Sequence, residues 1–283
     1  MTKIVFYVFS GTGNTVKVVK ECAEQCEKAG AEITVCRLKK GKEAPHISDF
    51  DTAVFAYPVH GFNAPKPVLD FMKSLPELNG KKVYFLMTSG EPLKLNDAAA
   101  VRPWAAVTKK GGEPAGAFRL VMPYNIIFRH SDEMASLMWQ TAVKRIVPIA
   151  NAIVNGEKSE FKVGLGKRFV SRIISIEHPA FPIIGRGFKV SKDCGGCGKC
   201  VVLCPQANIR MKDGRPKFGK ECVGCMACSF GCPVDAVRTG MLNGWRVNGA
   251  YDFSATPATE KEICKFLKKT YIRYFQEDET VLK

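Results

Sequence analysis

Eight of the chain's twelve cysteines fall into two runs of one spacing. The first is Cys194-x₂-Cys197-x₂-Cys200-x₃-Cys204-Pro205, and the second is Cys222-x₂-Cys225-x₂-Cys228-x₃-Cys232-Pro233. Three thiolates at x₂ intervals can wrap a tight loop around one face of an iron–sulfur cube, each reaching a different iron. The fourth, after x₃, starts the next segment pointing away. Two such runs imply two [4Fe–4S] clusters and one-electron chemistry. Zinc and disulfides are the competing uses of cysteine. Structural zinc takes four ligands, usually from two separated pairs, and this spacing fits it poorly. Disulfides need an oxidising compartment, and nothing in the sequence points to export.

Residues 191–240 resemble the bacterial-type two-cluster ferredoxins along their whole length, including Gly198 inside the first run. In that pattern the fourth cysteine of each run serves the other cluster. One cluster would take Cys194, Cys197, Cys200 and Cys232, and the other Cys222, Cys225, Cys228 and Cys204. Pro205 and Pro233 end the ligand loops. Between the runs, Ala207–Met211 and Arg215–Phe218 read as two short strands around an Asp213-Gly214 turn.

A second site is written near the N-terminus. Lys3–Phe9 is a nearly unbroken apolar run, which suits a strand buried on both faces of a parallel sheet. It leads into Ser10-Gly11-Thr12-Gly13-Asn14-Thr15, and a helix-like stretch, Val16–Lys28, follows at once. Backbone N–H groups and the start of a helix form an anion site there. The loop lacks the Lys-Ser/Thr ending of a P-loop and the third glycine of a dinucleotide fingerprint. Its hydroxyls and amide would hold a phosphate by neutral hydrogen bonds. The loop closely resembles the phosphate loop of flavodoxins, and that resemblance implies FMN.

The elements that must position this loop follow in order. Candidate strands at Glu32–Arg37, Thr52–Ala56, Lys82–Thr88 and Ala117–Met122 alternate with helical stretches at Lys66–Ser74, Asn96–Lys110 and Ser131–Asn155. This alternation predicts an α/β fold, a doubly wound five-stranded parallel sheet with helices on both faces. The flavodoxin-like order 2-1-3-4-5 places ligand loops at the carboxyl ends of strands one, three and four. A small α+β ferredoxin domain is expected after it. In flavodoxin-like proteins the loops after strands three and four clasp the flavin ring. By that resemblance Pro58, His60, Gly61 and Phe62 would flank one side and Thr88, Ser89 and Gly90 the other. Trp104 reads as core packing rather than a flavin contact. No protein acid or base for catalysis stands out.

At 283 residues the chain has room for two domains. A flavin domain is expected over 1–156, a basic connector over 157–190, the ferredoxin domain over 191–240 and an extension over 241–283. The connector holds an apolar cluster, Phe169–Ile176, with Arg168 and Arg172. It reads as an ordered linker across the flavin domain, or as a basic amphipathic element for a membrane surface. In the extension Thr259–Tyr274 reads as a helix with Ile263, Phe266, Leu267 and Tyr271 on its apolar stripe, docking on one of the domains. Cys22, Cys26, Cys36 and Cys264 read as small buried hydrophobes. No apolar run reaches spanning length, and Met1-Thr2-Lys3 enters a strand without a leader, so a cytoplasmic location without membrane association is expected. Oligomeric state is not written in the sequence.

Small electron-carrier flavodoxins are usually acidic, whereas this chain carries a formal charge of +15. The whole pattern is closer to anaerobe flavodoxin–ferredoxin fusions, the EFR1-type ferredoxins. No nucleic-acid motif accompanies the positive charge. An acidic redox protein of ferredoxin or flavodoxin type, or a partner reductase, is the expected partner. An iron–sulfur flavoprotein linking one-electron carriers to a two-electron partner or reaction is the leading expectation. An FMN-dependent reductase of a quinone, nitro compound or oxygen is one alternative, and a redox or oxygen sensor is another.

Overall fold

Five runs rich in β-branched and aromatic residues form one parallel sheet. In the computed structural model, which describes residues 1–166, 169, 173 and 177–276, they are β1 (Lys3–Val8), β2 (Glu32–Arg37), β3 (Thr52–Pro58), β4 (Lys82–Ser89) and β5 (Glu113–Val121). The order is β2-β1-β3-β4-β5, and every pairing is parallel. Strands β1, β3 and β4 are apolar on both faces because helices cover both. On one face, α1 (Asn14–Lys28) and α4 (Asp132–Val154) bury Val18, Cys22, Cys26, Ile146 and Ile153 against Phe6, Val54 and Leu86. On the other, α2 (Lys66–Ser74) and α3 (Val101–Lys109) bury Val68, Met72 and Val107 against Tyr7, Phe55 and Phe85. Trp104 stacks on Phe161 with ring centroids 4.6 Å apart, within this second layer.

Two of these elements differ from their sequence reading. Strand β5 starts at Glu113, ahead of the expected Ala117. Its first turn holds Pro114 and Gly116, and an edge strand tolerates both. The expected helix Asn96–Lys110 is split into a 3₁₀ turn, Lys94–Ala100, and α3. Pro103 has no N–H for an upstream carbonyl, so the α-helix restarts with proline in its first turn.

Beyond the sheet, α5 (Glu177–Arg186) leads into β6 (Lys189–Val190) and the cysteine-rich segment. Of the expected connector cluster, Arg168, Val170, Arg172, Ile174 and Ile176 lie outside the described residues. The cysteine-rich segment holds α6 (Lys199–Leu203), a hairpin of β7 (Ile209–Lys212) and β8 (Arg215–Phe218), α7 (Ala227–Phe230) and β9 (Val237–Arg238). Strand β9 closes back onto β6 in antiparallel pairing. Its duplication is visible in the backbone. Gly196, Gly198 and Ala207 have φ of 71°, 71° and 49°, and their counterparts Gly224, Met226 and Asp235 have 67°, 57° and 46°.

The chain then returns to the five-stranded sheet. Helix α8 (Lys268–Gln276) is shorter than the expected Thr259–Tyr274. Leu267, at φ 55°, sits in the left-handed region and prevents continuation from upstream. As a result Phe266 is exposed, while Ile263 and Tyr271 are buried. Tyr271 and Tyr274 pack on Val121, Met134 and Met138. Among the described residues no helix is long and apolar enough to cross a membrane.

Candidate functional site

The turn from β1 into α1 is built from backbone and neutral side chains. Gly13, at φ 105°, caps α1 and donates its N–H to the Ser10 hydroxyl at 3.2 Å. Asn14 Nδ2 donates to the Pro123 carbonyl at 2.7 Å, tying the loop to the exit of β5. The Thr15 and Thr88 hydroxyls meet at 2.8 Å in a buried contact, tying it to the exit of β4. With the α1 N-terminus behind it, the loop offers hydrogen-bond donors and a partial positive charge without a cationic side chain.

Above this loop lies a cavity of about 420 Å³. Its walls include Ser10, Gly11, Thr12, Asn14 and Thr15 at one end, and Pro58, His60, Gly61, Phe62, Thr88, Ser89 and Gly90 further along. Gly13 shapes the turn without lining the cavity. The β3 exit is a tight turn in which His60 and Asn63 exchange both backbone hydrogen bonds, at 2.9 and 2.8 Å. Gly61 and Phe62, at φ 47° and 61°, occupy its two left-handed positions, so Phe62 is held there at a conformational cost. Size, an end rich in hydrogen-bond donors and a largely apolar remainder suit a flavin mononucleotide.

Several wall residues escaped the sequence reading. Pro123, Tyr124 and Asn125 follow β5, and the rule that ligand loops gather at strand ends could have found them. Ala180, Phe181 and Ile184 of α5, Gly224 between two cysteines, and Leu242 and Trp245 have no local signal, because they arrive from distant parts of the chain. Glu91 also lines the cavity; it accepts a hydrogen bond from the Tyr124 hydroxyl and one from Asn96 Nδ2 at 3.0 Å. Burial, then this carboxylate, push the Tyr124 phenol well above its ordinary range. Behind Tyr124 sits His130, whose Nδ1 accepts the Tyr124 N–H at 3.3 Å.

The eight motif cysteines gather in two places. Cys194, Cys197, Cys200 and Cys232 line one small cavity with Val190, Pro216 and Val237. Cys222, Cys225 and Cys228 lie near one another and near Cys204, and their thiols are raised by burial first and by one another next. The Cys225 thiol is pushed up to about 12. The fourth cysteine of each run accepts a matching backbone hydrogen bond, Asn208 N–H to Cys204 Sγ at 3.4 Å and Ala236 N–H to Cys232 Sγ at 3.2 Å. Such bonds stabilise a thiolate. Among the described residues no three His, Cys, Asp or Glu side chains converge on a single-ion site.

The two sites touch. A Cβ on Gly11 would fall 2.0 Å from the Cys225 carbonyl oxygen, so only glycine fits where the N-terminal loop meets the second cysteine run. Lys40 N–H donates to the Pro205 carbonyl at 2.8 Å, and Lys39 Nζ donates to the Val202 carbonyl at 2.7 Å. The extension closes the far side, where Ile127 N–H donates to the Trp245 carbonyl at 2.7 Å and the Tyr251 hydroxyl donates to the Tyr124 carbonyl at 2.7 Å.

Sheet order and loop placement define a flavodoxin-like class, and a family model agrees. A family model for the flavodoxin domain matches residues 4–124. That part of the chain is a flavodoxin-like domain, and its fold supports FMN binding. Similar solved structures include oxidised flavodoxin 1 from Bacillus cereus, 18% identical, with a TM-score of 0.43 over 54% of this chain and 98% of that one. The two-electron reduced flavodoxin of Megasphaera elsdenii is 22% identical, with a TM-score of 0.37 over 42% of this chain and 85% of that one. An NAD(P)H:quinone oxidoreductase from Methanothermobacter marburgensis is 13% identical, with a TM-score of 0.40 over 57% and 99%. No curated protein matches the sequence.

Proposed function

We propose that the protein is an electron-transfer iron–sulfur flavoprotein that joins one-electron carriers to a two-electron partner or reaction. FMN would be held at its phosphate by Ser10–Thr15 and at its ring by the loops after β3 and β4. Two [4Fe–4S] clusters would be held by Cys194, Cys197, Cys200 and Cys232, and by Cys204, Cys222, Cys225 and Cys228. When bound, FMN supplies one- and two-electron chemistry and each cluster supplies one-electron chemistry. The observation that carries the reading is the shared wall: Gly224 lines the flavin-sized cavity, and the Cys225 carbonyl packs against Gly11. Residues of both sites therefore meet directly at this contact. Around the cavity, α5 and the Leu242–Trp245 turn supply part of the wall, and the Thr15–Thr88 contact ties the Ser10–Thr15 loop to β4.

A reductase acting on a small acceptor is a second reading with its own observation. Glu91 and Tyr124 form a hydrogen-bonded carboxylate–phenol pair on the cavity wall, where it could hold a proton next to a reacting molecule. Both readings begin from the same measurement on protein purified without oxygen. About one FMN and about eight irons per chain are expected for two cubanes and one flavin. Eight irons with no flavin after FMN addition would sink the phosphate-loop assignment. Turnover of a small quinone or nitro compound without a protein partner would favour the reductase.

A further inference from the structure

The two cysteine sites have unequal surroundings. The run containing Cys225 faces inward, where Val223 and Cys225 pack against the second core layer and Gly11 meets the Cys225 carbonyl. The run containing Cys197 faces outward. Cys197 is exposed, and Val234, which lines the same cavity, is 55% exposed.

The outward site also wears a basic collar. Lys199 lines its cavity, and Lys192 lies two residues before Cys194. The tip of the β7–β8 hairpin is pressed against the same loop, since a Cβ on Gly196 would fall 2.4 Å from the Gly214 carbonyl oxygen. That brings Lys212 and Arg215 beside it, and all four basic residues are exposed. Among the described residues none of the four has a carboxylate within ion-pair distance. The local acids cancel the collar only in part: Asp193 and Asp213 are exposed within it, against its four basic residues. Between Phe188 and Thr239 there are nine lysines and arginines against four acidic residues. Of those four, Glu221 pairs with Lys40, and Asp235 pairs with Arg238 and Arg246.

We propose that this face, Cys197 and Val234 ringed by Lys192, Lys199, Lys212 and Arg215, is the docking surface for an acidic one-electron carrier protein. Complementary charge steers encounter, and the small apolar centre allows a short-lived contact. This rests on the cluster assignment above and adds the port and the order: carrier, outer site, inner site, flavin cavity. Of the eight motif cysteines only Cys197, at the outer site, is exposed, so the carrier is expected to meet the chain there.

The test uses full-length protein purified without oxygen and an acidic bacterial two-cluster ferredoxin as probe. Equilibrium binding of the oxidised pair is measured at several ionic strengths, so no turnover enters. For the wild type, affinity falls steeply with salt. For the variant K192E/K199E/K212E/R215E, affinity is expected to drop at least ~10-fold at low salt and to lose most of its salt dependence. The control K28E/K73E/K109E/K144E makes the same change of formal charge on α1, α2, α3 and α4, and it changes binding by less than ~3-fold. Iron and flavin content are measured for each preparation. If all retain both cofactors and the collar variant binds like the wild type, the docking surface is wrong while the cluster assignment stands. Equal loss in the control overturns it too, because net charge alone would then explain binding. Wild-type protein without iron after reconstitution overturns the cluster assignment and this proposal with it.

Discussion

His130 shows how one side chain couples stability to the site. It is 3% exposed, and burial lowers its imidazole to about 4. Its Nδ1 accepts the Tyr124 N–H, so the ring proton sits on Nε2 and points to the Tyr271 hydroxyl at 3.3 Å, which in turn donates to the Gly90 carbonyl. An unfolded chain binds a proton on this histidine near pH 6.5. The native state refuses it until about 4, so stability is fully present above 6.5 and is lost as pH falls toward 4. The loss amounts to about 3 kcal/mol at most. Denaturant unfolding at several pH values is expected to show this slope in wild type and a flatter one in His130→Gln. At the same scale, Cys197→Ser is expected to take iron from about eight to about four per chain with flavin retained, as loss of one of two cubanes requires. Loss of all iron together would show that the two sites are not separable. The two cysteine runs, and their gathering in two places, were legible because fixed spacing is a local property. Glu91 and His130 were not, because their roles arise from contacts between the exits of β4 and β5, whereas Tyr124 was within reach of the strand-end rule.

Among the elements, the phosphate loop and α8 carry the sharpest tests. Gly11→Val is expected to force the loop away from the Cys225 carbonyl, weakening FMN binding and slowing reduction of the flavin by dithionite-reduced clusters. Flavin titration and stopped-flow spectra would check it, and unchanged behaviour would mean the two loops separate in solution. Tyr271→Phe keeps the packing of α8 but deletes the hydroxyl that bonds Gly90 and His130. It is expected to cost about 1 kcal/mol in unfolding free energy, and Tyr271→Ala about 3–5. The five strands were legible as apolar runs with helices between them, because a sheet covered on both faces demands such runs. The first turn of β5 was hidden by Pro114 and Gly116, and the start of α8 by Leu267. In both places a backbone setting that tertiary context permits overrides local preference.

At the scale of the whole molecule, residues far apart in sequence share one cavity. Its floor comes from residues 10–15 and its walls from the exits of β3, β4 and β5, while Ala180–Ile184 and Leu242–Trp245 cover it. Composition announced the positive charge but not its placement, because the collar exists only once the β7–β8 hairpin folds against the cysteine loop. The path of the chain has a further consequence for biosynthesis. Domains fold from the N-terminus as they leave the ribosome, at roughly 5–20 residues per second. The sheet can close once α4 has emerged, yet the Leu242–Trp245 part of the cover and the Tyr271 anchor arrive roughly ninety or more residues later. A nascent chain halted near residue 170 would present an open, readily exchanging flavin pocket, and the finished one would trap its occupant. Cofactor loading thus has a window that shuts when the last helix docks.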